Sequence, residues 1–215
     1  QSNKTAMVTS EKSANGHVFS TLSLFDKLKS IKGWLDPMEA DLLITMTHKA
    51  CLELPAPHAI VEIGSYHGKS TVVLGSVLKA FYPDSRVYAI DPHEGVVGAE
   101  DSGLKKVPPS YTMLKQNLSK EGLLEAVDII KDYSYRIKWE KPISMIFIDG
   151  LHDYKNVSRD FRHFSKWIRL NGYIAFHDYA GYYPGVVQFV DELLSTSHYR
   201  QICKVKSLMV LQKVQ

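Results

Sequence analysis

The chain has 215 residues, 45% of them hydrophobic and 23% charged, with a formal charge of +3 at pH 7. That length suits one α/β domain with a substantial core and argues against two, and the composition is that of an ordinary globular protein. Lysines and arginines are scattered, with Lys105-Lys106 an isolated pair, so nucleic acid is not an expected partner; no apolar run is long enough for a membrane span, and no basic-then-apolar signal peptide opens the chain.

A cytoplasmic protein is therefore expected, with Cys51 and Cys203 as reduced core thiols lacking metal-type spacing. Residues 1–17 are polar and aperiodic and are expected to be poorly ordered, with a single domain over 18–215. From Thr21, the residues Leu22, Phe25, Leu28 and Ile31 recur at helical spacing. Asp36-Pro37-Met38-Glu39 then supplies an N-cap, a proline at the first helical position and an acid at the third, starting a second helix through Leu42, Leu43, Met46 and Ala50.

The next stretch, Ala59 to Thr71, reads as a buried strand, a tight loop and a helix. Gly64 and Gly68 allow positive φ and close approach of a ligand to the backbone, and the helix start beyond them offers unpaired N–H groups. The spacing matches neither G-x-G-x-x-G nor the phosphate-binding G-x-x-x-x-G-K-[ST] pattern, so a plain structural turn competes with a nucleotide-type site. Arg86 to Asp91 reads as a second strand ending in a carboxylate placed to accept hydrogen bonds from a ribose. Glu62 so close to the loop disfavours a pyrophosphate.

The segment from Pro92 to Pro109 is glycine-rich and aperiodic, long enough to be a functional lid. Ser110 caps a helix with Met113, Leu114, Asn117 and Leu118, and Val127 to Ile130 is a third strand followed by Lys131-Asp132-Tyr133-Ser134. Ile143 to Asp149, almost uniformly apolar, is a fourth strand of central parallel type. A helix with Val157, Phe161, Phe164 and Ile168 on one face is expected to stop at Asn171-Gly172. Tyr173 to Phe176 is a fifth strand ending in His177-Asp178, a helix starts near Pro184, and Arg200–Val205 with Leu208–Lys213 must form an antiparallel hairpin.

Ligands of open parallel sheets sit beyond the carboxyl ends of the strands. Asp149, His152, His177 and Asp178 all fall at such ends, and two carboxylates with imidazole could bind Mg²⁺, Mn²⁺ or a similar ion. The competing reading makes Asp149 a helix cap and His177 a satisfied core histidine.

The motif E-I-G-x-x-x-G with strand-terminal Asp91 resembles the cofactor half of class I S-adenosylmethionine-dependent methyltransferases. Phe147-Ile148-Asp149-Gly150-Leu151-His152-Asp153-Tyr154, with Gly172-Tyr173-Ile174-Ala175-Phe176-His177-Asp178-Tyr179, is similar to the metal-dependent small-molecule O-methyltransferases, in particular the macrocin O-methyltransferase type that methylates sugar hydroxyls of natural products. The resemblance covers the chain from about residue 55 onward. It implies a Rossmann-like doubly wound α/β fold, a seven-stranded mostly parallel sheet with an antiparallel C-terminal hairpin.

It also implies cofactor contacts from Glu62, Gly64, Ser65, Tyr66, Gly68, Ser70 and Thr71 at the loop, from Asp91 and Pro92 at the ribose, from Asp132 and Ser134 at the adenine, and from Asp149. Asp149 and Asp178 fall on metal-ligand positions and His152 on that of a catalytic histidine, whereas His177 stands where the family has an acidic ligand. The partners implied are a small-molecule acceptor and no nucleic acid or membrane, with a homo-oligomer left open. Two other functions fit parts of the pattern: an inactive S-adenosylmethionine-binding or interaction module, and a nicotinamide oxidoreductase, whose ribose Asp91 would serve as well.

Overall fold

The computed structural model describes residues 19–215, so the expectation for residues 1–17 lies outside them. In chain order the elements are α1 (Thr21–Leu28), α2 (Pro37–Glu53), β1 (Ala59–Ile63), α3 (Lys69–Phe81), β2 (Arg86–Ile90), β3 (Val96–Ala99), β4 (Gly103–Lys106), α4 (Tyr111–Lys120), β5 (Val127–Ile130), β6 (Ile143–Ile148), α5 (Tyr154–Phe164), β7 (Ile168–Phe176), α6 (Pro184–Leu194), β8 (Tyr199–Val205) and β9 (Leu208–Lys213). Seven strands form one sheet in the order β5-β2-β1-β6-β7-β9-β8. The first five are parallel, and β9 returns antiparallel between β7 and β8.

Both faces of this sheet are covered, as its apolar parallel strands require. Side-chain alternation along a strand sends Ile60, Ala89, Phe147 and Ala175 to one face, where they meet α1 to α4 through residues such as Leu43, Val73 and Leu114. It sends Val61, Ile90, Ile148 and Phe176 to the other, against Val157, Phe161, Val186 and Phe189 of α5 and α6. From β1 the chain winds outward to β2 and β5, then returns to β6 and β7 on the opposite side. That reversal between β1 and β6 is the switch point, and the crevice beyond their carboxyl ends is the natural ligand site.

Three local expectations are corrected. The buried positions of α1 are Leu24 and Leu28, while Leu22 is exposed and Ile31 is buried beyond the helix end. The fifth helix ends at Phe164 and passes through a 3-10 turn, Ser165–Trp167, directly into β7. Ile168, seven residues after Phe161 and so in phase with the helix, instead pairs with Ile143. Asn171-Gly172 is a distortion inside the strand, not a helix stop: Asn171 has φ 65°, and the ladder shifts register between Ile143 and Met145.

The aperiodic segment from Pro92 to Pro109 holds the antiparallel hairpin of β3 and β4. Its strands are mostly solvent-exposed and carry no alternation of buried and exposed residues, which is why no period shows. The hairpin is docked: Gly98 O accepts from the His152 N–H at 3.0 Å, and Asp153 Oδ2 accepts from the Glu100 N–H at 3.0 Å. Among the described residues no helix is long and apolar enough to cross a membrane.

Candidate active site

The loop after β1 is shaped by close packing against the end of β6. Gly64 has φ +90°, and a Cβ there would lie 2.0 Å from Asp149 O, so no other residue fits. Tyr66, held at φ 45°, donates its N–H to Asp91 Oδ2 at 2.9 Å, while the His93 N–H donates to Asp91 Oδ1 at 2.6 Å. Both oxygens keep lone-pair capacity for a further donor, and the carboxylate still reaches the cavity.

That cavity has a volume of about 960 Å³ and opens over the carboxyl ends of β1, β2, β6 and β7. Of the residues predicted from sequence, Gly64, Tyr66, Asp91, Pro92, Ser134, Asp149, His152, His177 and Asp178 line it. Glu62, Ser65, Gly68, Ser70, Thr71 and Asp132 lie outside that lining. Glu62, Ser70 and Thr71 are buried beneath the loop, where the Thr71 hydroxyl donates to Glu62 Oε2 at 2.5 Å. Burial, reinforced by the Asp149 and Asp91 charges and opposed by the Ser70 and Thr71 hydroxyls, pushes the Glu62 carboxyl up to about 8. These residues build the loop from below; the orientation of Glu62 follows from the strand alternation that places it on the inner face.

On the wall after β5, Asp132 turns back to accept from the Tyr133 N–H at 2.7 Å. Ser134 donates to Asp160 Oδ1 at 2.5 Å, and burial raises the Asp160 carboxyl to about 6. Asp160 also lines the cavity. Sequence reasoning passed over it, although an acid between Val157, Phe161 and Phe164 on the inward side of α5 was a readable signal.

The third group converges at the ends of β6 and β7. Ligand atoms of Asp149, His152 and Asp178 all lie within 4.8 Å of one another. His152 Nε2 stands 3.3 Å from Asp178 Oδ2, and Tyr183 packs its ring on the His152 ring at 4.6 Å. Asp178, at φ 58°, also accepts from the Tyr182 hydroxyl at 3.1 Å. His177 reaches the same acids from beneath, with Nδ1 at 3.1 Å from Asp149 Oδ1 and 3.2 Å from Asp178 Oδ2.

Its other nitrogen, Nε2, meets Glu39 Oε2 at 3.0 Å. Burial opposes charge on this ring, but the Asp149 charge and hydrogen bonding to Asp149, Asp178 and Glu39 outweigh it and raise the His177 pKa far above the usual histidine range. Asp178 is likewise opposed by burial, and the two imidazoles bring it below the usual carboxylate value. Glu39 had been legible only as the acid of the capping box at the start of α2.

The methyltransferase domain family matches residues 61–179, from β1 to just past Asp178. The chain belongs to that family. The matched region is a methyltransferase domain, and the nicotinamide reading falls away. A curated relative, Uncharacterized protein R132 of Acanthamoeba polyphaga mimivirus, is 30% identical over 144 residues, which span 63% of this chain and 58% of the relative. The chain thus covers little more than half of that protein.

Three solved structures share the methyltransferase's fold at low identity. The O-methyltransferase NovP is 16% identical, with 85% of this chain and 84% of that one covered and a TM-score of 0.70. CalS11, a calicheamicin methyltransferase, is 16% identical over 89% of this chain and 90% of that one, with a TM-score of 0.66. An S-adenosylmethionine-dependent O-methyltransferase from Thermotoga maritima is 14% identical over 92% of this chain and 72% of that one, with a TM-score of 0.63.

The methyltransferase's own residues fit the methyl donor: the Gly64 turn leaves bare backbone at the cavity floor, and Asp91 presents spare acceptor capacity at the end of β2. Asp91→Ala is expected to weaken S-adenosylmethionine binding measured by calorimetry, each lost charge-assisted hydrogen bond being worth about 1.5–3 kcal/mol. The substitution also frees the Tyr66 and His93 N–H groups that shape the loop. Unchanged affinity in a folded variant would count against the ribose role.

Proposed function

We propose that this methyltransferase transfers its methyl group to a hydroxyl oxygen of a small molecule, a sugar hydroxyl of a natural product in particular, with assistance from a divalent metal. The observation that carries this reading is the convergence of Asp149, His152 and Asp178 at the cavity floor beside the Gly64 turn. Hydroxyl acceptors are further supported by NovP, an O-methyltransferase, and by CalS11, described as a TDP-rhamnose 3'-O-methyltransferase.

An aliphatic hydroxyl is a weak nucleophile, and its proton must leave as the new oxygen–carbon bond forms. His152, facing the cavity next to Asp178, takes that proton on a ring nitrogen, and the neighbouring carboxylate stabilises the imidazolium that results. Tyr183 against the ring and Gly98 O on the backbone N–H fix where the base sits. Asp149 and Asp178 form an oxygen donor set suited to Mg²⁺ or Mn²⁺. Such an ion would supply Lewis-acid polarisation of the acceptor hydroxyl. His177 Nδ1 is ion-paired with the same two acids at 3.1 and 3.2 Å, so an ion held by them would compete with the proton on that ring.

The test is turnover with labelled S-adenosylmethionine and a panel of hydroxylated acceptors that includes TDP-rhamnose. Chelator is expected to abolish methyl uptake without unfolding the protein, and Mg²⁺ or Mn²⁺ to restore it. Full activity in excess chelator would remove the metal from the mechanism. Tight donor binding with no uptake across the panel, with and without metal, would favour the inactive binding module instead.

A further inference from the structure

We propose that Glu39, on the N-terminal helix α2, is a positioning residue for the acidic pair: it holds the His177 ring with Nε2 toward the helix and Nδ1 between Asp149 and Asp178. The inference rests on the metal-assisted reading above, and extends the site to a helix outside the region matched by the family.

Glu39 is 2% exposed and His177 3% exposed. Glu39 Oε2 lies 3.0 Å from His177 Nε2 and accepts from the Asp36 N–H at 3.1 Å. Glu39 Oε1 accepts from the Ser207 N–H at 3.0 Å and from the Ser207 hydroxyl at 2.7 Å. One carboxylate thus ties together the start of α2, the end of β7 and the turn between β8 and β9, and its orientation is overdetermined. A buried carboxylate needs such partners, but a capping box alone would be satisfied at the surface.

The consequence lies on the far side of the imidazole. A ring that donates from Nε2 to a fixed carboxylate turns Nδ1 outward, and here Nδ1 stands 3.1 Å from Asp149 Oδ1 and 3.2 Å from Asp178 Oδ2, paired with both. Carboxylates hold metal-ligating histidines in this way, and Nδ1 would face an ion only on giving up the proton it shares with the two acids.

The experiment compares chelator-treated wild type with Glu39→Gln by calorimetric titration with Mn²⁺ and by nitrogen-15 NMR of the His177 ring. Asp36→Ala serves as control, since it strips the other half of the capping box without touching His177. Wild type is expected to show a protected Nε2–H signal that is lost in Glu39→Gln, with Mn²⁺ bound about 10–100-fold more weakly by that variant. Asp36→Ala should keep both the signal and the Mn²⁺ affinity, which a purely structural role for Glu39 would not predict. An unchanged ring signal together with unchanged Mn²⁺ affinity in folded Glu39→Gln overturns the proposal. A wild type that takes up no Mn²⁺ overturns the metal reading instead, and the ring signal alone then decides whether Glu39 orients His177.

Discussion

Replacing His152 with glutamine is expected to lower kcat by about 10²–10⁴-fold while leaving S-adenosylmethionine affinity nearly unchanged. Glutamine can still donate to Asp178 and pack beneath Tyr183, so the contacts seen at 3.3 Å and 4.6 Å have a substitute. It cannot accept a proton at neutral pH. The competing account makes His152 a structural residue wedged between the docked hairpin and Tyr183, and predicts a lower Tm with a modest change in rate. A folded variant that keeps most of its kcat, under conditions where chemistry limits turnover, rules out the base role.

The parts of this molecule that sequence reveals are those whose environment is uniform. β1 and β6 are buried at every position, so their apolar runs announce central parallel strands, and the acids at strand ends follow from topology. Asp149, His152, His177 and Asp178 could be placed together because the β6 and β7 ends are neighbours in the sheet. What sequence hid depends on contacts between distant segments. The β3–β4 hairpin has little buried side-chain area and is held by backbone bonds to the His152–Asp153 turn. Ile168 kept helical phase while belonging to a strand, because tertiary pairing with Ile143 overrode the local pattern. Glu39 looked complete as a capping residue, and nothing local announced a partner 138 residues away.

Glu62 was legible as an acid beside the glycine loop, but its burial reverses what that acid does. At 0% exposure, with Oε1 unpartnered, it is held neutral, with its pKa pushed up to about 8 first by burial and then by the Asp149 and Asp91 charges. The ordinary value of 4.5 applies to the unfolded chain, so between about 4.5 and 8 the folded state keeps a proton that the unfolded state has released. Stability from this group is therefore fully present at low pH and is lost as pH rises, at most about 1.4 kcal/mol per pH unit.

Asp160 acts in the same direction only up to about 6, and His177 acts in it through the window from pH 6 to 8, so the difference between wild type and a Glu62 variant in that window isolates Glu62. Across that window Glu62→Gln, which keeps an oxygen for the Thr71 hydroxyl, is expected to gain on the order of 2–3 kcal/mol of stability relative to wild type, read from urea unfolding at both pH values. The gain comes from removing a titration, so the two proteins should differ least at the acid end. Wild-type and variant stabilities that run parallel from pH 6 to 8 would show that Glu62 is ionised in the fold and that a partner for its charge, not its proton, stabilises the ground beneath the loop.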